Sequence, residues 1–130
     1  MTFVFDTSVL IDLEHKEVQT SKKVKELIKN SASTPVTTFL NHYEFLWGLR
    51  NRQENYRDTK SIWIQKSIIL QTSKLTPVLL CSLRKKYESQ GIILPLADWI
   101  VTALTIENNM TLVTKDKDFG RIEELSKIII

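Results

Sequence analysis

The sequence predicts an α/β protein of three layers, a parallel sheet with helices on both faces. Two observations carry this. Short apolar runs of strand type alternate with helical patterns along the whole chain, as a parallel sheet covered on both sides requires. No linker, repeat or low-complexity stretch breaks that alternation, and 130 residues suffice for one domain, 1–130, with a real core.

In order, residues 2–5 read as a short buried strand that runs into Asp6, followed by Thr7 and Ser8. A short helix is expected over 7–13 and an amphipathic one over 20–30. Pro35, Val36 and Thr37 form a second brief strand leading into an apolar helix, about 38–49. A basic helix follows over about 53–67, and "SIILQ" (67–71) is either its end or a third strand. Helix 75–90 stops at Gly91, a good terminator. Pro95 precedes a helix over 96–108, and strands are expected at 110–114 and 127–130.

Composition excludes several classes. Cys81 is the only cysteine, so no intrachain disulfide forms, which fits a reducing compartment. His15 and His42 lie far apart, so a zinc site of the usual ligand types is not expected. No cationic leader precedes Asp6, and no apolar run approaches the roughly 18 residues that span a bilayer. A cytoplasmic protein without membrane association is expected. The net charge is +3, but residues 50–86 hold nine basic residues against two acids, which leaves the remainder acidic. That contrast suits a polyanionic partner drawn towards carboxylates, although solvated helix faces would give the same count.

Four segments place acids where a buried face is expected. Asp6 ends the first strand. On helix 38–49 the apolar stripe is read as Phe39, Leu40, Tyr43, Leu46 and Trp47, and Glu44 falls about 40° beyond its edge. A boundary glutamate can also simply reach water. On helix 96–108, Asp98, Thr102 and Thr105 form one narrow polar strip on an otherwise apolar helix. Asp98 is either the helix cap or an acid held at a site by those threonines. Asp116 and Asp118 follow the strand that ends at Thr114, an ordinary loop pattern when taken alone. Several carboxylates in one place are costly unless cations neutralise them, and Mg²⁺ or Mn²⁺ is the natural counter-charge for oxygen donors. Such a metal activates water and stabilises charge on phosphoryl oxygen, so phosphodiester hydrolysis fits.

"FVFDTSVLID", "TTFLNHYEFLWGL", "LPLADWIVTALTIENNMTLVT" and "TKDKDFGRI", in this order, resemble the PIN domain family, most closely its single-domain toxin branch of VapC type. The resemblance covers essentially the whole chain. It implies a five-stranded parallel sheet in the order 3-2-1-4-5. It also implies an Mg²⁺- or Mn²⁺-dependent ribonuclease, usually a homodimer, inhibited by a cognate antitoxin protein. Carried over by motif, Asp6, Glu44, Asp98 and Asp116 are the catalytic acids, with Asp6, Asp98 and Asp116 on the metal. Ser8, Thr114 and Asp118 support them. Many relatives carry Asn at position 116 and an extra residue before the following Asp-Phe, so Asp118 is the alternative to Asp116. Asp116 is favoured because it lies nearer the strand end.

Arg50 and Arg52, just after the Glu44 helix, are the expected contacts to RNA. Trp47, Tyr56 and Trp63 are core, or else line a dimer or antitoxin groove. Asp12 is read as a surface residue. A housekeeping RNA-processing nuclease and a catalytically weak binding module are the alternatives. A phosphatase of haloacid-dehalogenase type would need a second Asp at position 8, where Ser8 stands.

Overall fold

The computed structural model describes residues 1–31, 34–51 and 66–130. Five strands form one parallel sheet: β1 (Phe3–Phe5), β2 (Val36–Thr38), β3 (Ile68–Leu70), β4 (Thr111–Thr114) and β5 (Lys127–Ile129). Their order is β3-β2-β1-β4-β5, as the family resemblance implies. Val4 pairs with both Val36 and Leu112, so β1 sits at the centre of the sheet. Every residue of β1, β2 and β4 is buried, whereas the edge strands β3 and β5 are partly exposed. That is the burial expected of a sheet covered on both faces.

The described helices are α1 (Thr7–Glu14), α2 (Val18–Ile28), α3 (Phe39–Gly48), α4 (Thr76–Glu88) and α5 (Leu96–Glu107), with a 3₁₀ turn at Lys117–Arg121. Alternation along each strand sorts side chains into two cores. On one side Val4, Val36 and Leu112 pack with Leu83 and Tyr87 of α4 and Trp99 of α5. On the other, Phe3, Phe5 and Val113 meet Val9 and Leu10 of α1, Val24 of α2 and Phe45 of α3. These are the three layers.

One expectation changes and one alternative is decided. Helix α2 starts at Val18 rather than near residue 20, because Glu17 caps it by accepting hydrogen bonds from the Gln19 and Thr20 amides (3.2 and 2.6 Å). "SIILQ" resolves as a strand, since its backbone pairs with β2. The basic helix expected over about 53–67 falls mostly on residues outside the described ones, as do Arg52, Tyr56 and Trp63.

The chain builds β1, β2 and β3 outwards in one direction, then crosses back to place β4 and β5 on the other side of β1. Open α/β sheets collect ligands where the order reverses, outside the carboxyl ends of the strands. Here that point lies at the ends of β1 and β4, where Asp6 and Thr114 stand. The Asp6 amide still bonds the Val113 carbonyl (3.0 Å), so the two strand ends are locked together.

Candidate active site

Asp6 occupies the N-cap position of α1, yet its carboxylate makes no capping bond to that helix. Instead it accepts from the Asn41 amide at Oδ1 (2.9 Å) and from the Thr114 hydroxyl at Oδ2 (2.6 Å), with the Ser8 hydroxyl further off (3.5 Å). Only 8% of Asp6 is exposed. Burial pushes its pKa up, against hydrogen bonds from Thr114, the Thr7 backbone and Asn41, and the charge of Asp116 adds to the rise. The carboxylate is thus clamped from β4 and α3 at once.

Thr114 also accepts from the Asp116 amide (3.0 Å), so one hydroxyl links Asp6 to the segment carrying Asp116. Asp116 in turn caps the 3₁₀ turn by accepting from the Asp118 amide (2.9 Å). Asp118 is exposed and paired with Arg121 (2.8 Å). Its charge is compensated at the surface, which favours Asp116 as the member of the cluster.

Asp98 lies in the first turn of α5, but Pro95 is the N-cap and the Asp98 carboxylate makes no cap bond. The capping reading therefore fails. The threonine strip also does something other than hold this acid. Thr102 and Thr105 donate to the carbonyls of Asp98 and Val101, one turn back (2.8 and 2.7 Å), which lets two hydroxyls be fully buried. The Asp98 carboxyl is raised from 3.8 to about 6, by burial first and then by the charges of Asp116, Asp6, Glu44 and Asp118. Among the described residues no cation figures in those causes. The first turn of α5 favours a negative charge, which offsets part of the cost.

Glu44 is exposed at the rim and accepts from the Thr7 hydroxyl (2.9 Å). The buried face of α3 is Asn41, Phe45 and Leu49, not the stripe read from the sequence. Tyr43 and Trp47, assigned to that stripe, are 58% and 56% exposed, because a buried polar residue takes their place on the inner face. Asn41 is the residue missed. It is fully buried and donates to both Asp6 and Thr7 (2.9 Å each), while its carbonyl accepts from Thr38 (2.7 Å). The one signal was a lone amide in an apolar helix, three residues after a capping threonine.

Arg50 lies over the Trp47 ring, 4.2 Å from its centroid, and donates to the Trp47 carbonyl. Further along the basic segment, Arg84 and Lys86 are committed to Glu88 and Glu124. Asp12 is not a free surface residue, since it accepts from Thr20 (2.6 Å) and Lys115 (2.7 Å). A cavity of about 720 Å³ opens beside α2 and β1, but none of the acids lines it.

Asp6, Asp98 and Asp116 therefore act on one another electrostatically, with Glu44 beside them and hydroxyl or amide groups as neighbours. Among the described residues no three His, Cys, Asp or Glu side chains close into a ready-formed metal cage. Hard divalent cations do not need one. Mg²⁺ keeps several waters and takes one or two carboxylates directly, and an all-oxygen donor set whose charge no described residue compensates suits it.

The sequence matches the PIN domain profile over residues 3–125. No curated protein matches it. Among solved structures, VapBC2 from Rickettsia felis, bound to a DNA fragment from its promoter, gives a TM-score of 0.84 at 21% identity, covering 99% of this chain and 98% of that one. VapBC-1 from nontypeable Haemophilus influenzae gives 0.84 at 19% identity, over 99% and 98%. VapC20 from Mycobacterium tuberculosis, a sarcin-ricin loop cleaving toxin, gives 0.65 at 13% identity, over 95% and 98%. At these identities the likeness is one of fold.

Proposed function

The chain belongs to the PIN domain family, and from that premise we propose that it is a divalent-metal-dependent ribonuclease, the toxin of a toxin–antitoxin pair. The observation that carries this reading is Asp98. A carboxyl raised to about 6 by burial and by four other acids marks a site short of positive charge among the described residues. A structural carboxylate is normally paired instead.

In this reading Asp6, Asp98 and Asp116 hold the cation, Mg²⁺ or Mn²⁺, and Glu44 stands beside it. The ion supplies Lewis acidity at a phosphoryl oxygen and a lowered pKa for water. The chain's own residues supply the positioning. Asn41 and Thr114 fix both oxygens of Asp6, Ser8 backs it more distantly, and Thr7 steadies Glu44 at the rim. Arg50, tethered over Trp47, offers a phosphate contact one helical turn and a half from Glu44. Arg52 is carried as a second contact, on its sequence position alone.

The partners follow from the same premise. The structural neighbours from Rickettsia and Haemophilus are VapBC proteins, and VapBC-5 from Mycobacterium tuberculosis, another neighbour in fold, is a member of the VapBC family of toxin–antitoxin systems, which supports a cognate antitoxin. RNA is the proposed substrate, supported by the basic segment and by the loop-cleaving toxin among the neighbours. A homodimer in the cytoplasm is the proposed state.

Cleavage of a mixed RNA pool by purified protein tests the activity. We expect cleavage with Mg²⁺ or Mn²⁺, none in EDTA, and none for Asp6→Asn or Asp98→Asn proteins that keep the wild-type circular dichroism spectrum. Undiminished cleavage in EDTA would overturn the metal requirement. Growth arrest on expression, relieved by a neighbouring short reading frame, separates a toxin from a housekeeping nuclease.

A further inference from the structure

Lys115 sits between Thr114 and Asp116, on the short segment that carries an acid to the cluster. A lysine in that place has the reach to neutralise the acids itself. It does not: its ammonium bonds Asp12 on α1 at 2.7 Å. The same Asp12 oxygen accepts from the Thr20 hydroxyl of α2 at 2.6 Å, and Thr20 is 4% exposed. Two donors from two elements thus converge on one oxygen of a side chain only 17% exposed. A second tie runs through the backbone, where the Lys115 amide donates to the Ser8 hydroxyl (3.3 Å). With the bond from Thr114 to Asp6 (2.6 Å), three points fasten residues 114–115 to α1 along its length and to its cap. Asp116 is the next residue.

We propose that Asp12 is a positioning residue of the acid cluster. Through Lys115 it straps the end of β4 to α1, fixes where the Asp116 carboxylate stands, and keeps the ammonium from occupying the place of a divalent cation. The inference rests on the reading that Asp6, Asp98 and Asp116 take such a cation. Asp12 itself touches neither the cation nor RNA. An ion pair that were merely a surface ornament would contribute little and would not need a buried threonine on the same oxygen. Groups that orient metal-binding carboxylates behave differently, and their loss typically weakens metal binding about 10- to 100-fold.

The test is Mn²⁺ binding by titration calorimetry on the full chain, with no RNA present. Asp12→Asn and Lys115→Met should each weaken Mn²⁺ binding, Asp12→Asn by about tenfold or more. The double variant should be no worse than Asp12→Asn, because both act through one strap. Amide hydrogen exchange over 114–121 should quicken in the metal-free Asp12→Asn protein. Lys86→Met, which breaks a comparable ion pair with Glu124, is the control and should leave Mn²⁺ affinity unchanged. If the Asp12 and Lys115 variants lower thermal stability but bind Mn²⁺ like the wild type, the inference falls while the metal reading stands. If the wild type binds no Mn²⁺, both fall together. Asp12→Glu keeps the charge and should recover part of the affinity; recovery no better than with Asn would argue against a strap.

Discussion

Asn41 gives its amide protons to Asp6 and Thr7 and takes one from Thr38, all inside the protein. Asn41→Ala would leave the buried Asp6 Oδ1 without that donor, which should cost about 1–3 kcal/mol of stability. Urea unfolding measures it, and a loss within the scatter of ordinary surface substitutions, about 0.5 kcal/mol, would mean that water replaces the amide. Asp98 carries the opposite sign. Its carboxyl titrates near 6 when folded against 3.8 in the unfolded chain, so the folded state holds more protons in between. Stability from this group is therefore lost as pH rises, from about 4 to about 6, and the cost is full at neutral pH. Asp98→Asn should raise the melting temperature of the metal-free protein at pH 7, and that gain should shrink towards pH 4. A gain independent of pH would point to packing instead. Glu44 and Asp98 stand out in the sequence against apolar neighbours, whereas Asp116 taken alone is an ordinary loop acid. The uncharged holders of the acids were less legible, because Asn and Thr in a helix are common and their partners lie more than 30 residues away.

At the scale of elements, period and punctuation located the described helices and strands to within a few residues. Gly91 is the clearest case: it ends α4 with a φ of +80°, a conformation that favours glycine. A Cβ added there would meet nothing within 4 Å, so Gly91→Ala should cost only backbone strain, about 1 kcal/mol in a chemical denaturation curve. A neutral result would show that the turn relaxes. Two elements misled for physical reasons. Glutamate is not a favoured helix cap, so Glu17 does not mark the start of α2 in the sequence. On α3 the apolar residues counted inwards were Tyr43 and Trp47, while a hydrogen-bonding network drew Asn41 inside. Residue type reports affinity for water, and a buried polar network reverses that signal at the point where a site is built.

At the scale of the molecule, strand pairing joins residues far apart in the chain, so the order of the sheet cannot be read from local patterns. The resemblance to a family supplied it, and the structure has that order. Placing β1 between β2 and β4 puts Asp6 at the centre and brings residues 44, 98 and 116 around it, each from a different crossover. Of the two sequence readings of Asp98, the one that has the threonine strip hold it does not apply either, since Thr102 and Thr105 donate to backbone carbonyls one turn back. The central claim is that these carboxylates form one cation site. The most direct measurement is the melting temperature of wild type and Asp98→Asn at pH 7, with and without millimolar Mn²⁺. The account predicts a marked rise with Mn²⁺ for the wild type and little or none for Asp98→Asn. An equal rise in both proteins, or none in the wild type, would contradict it.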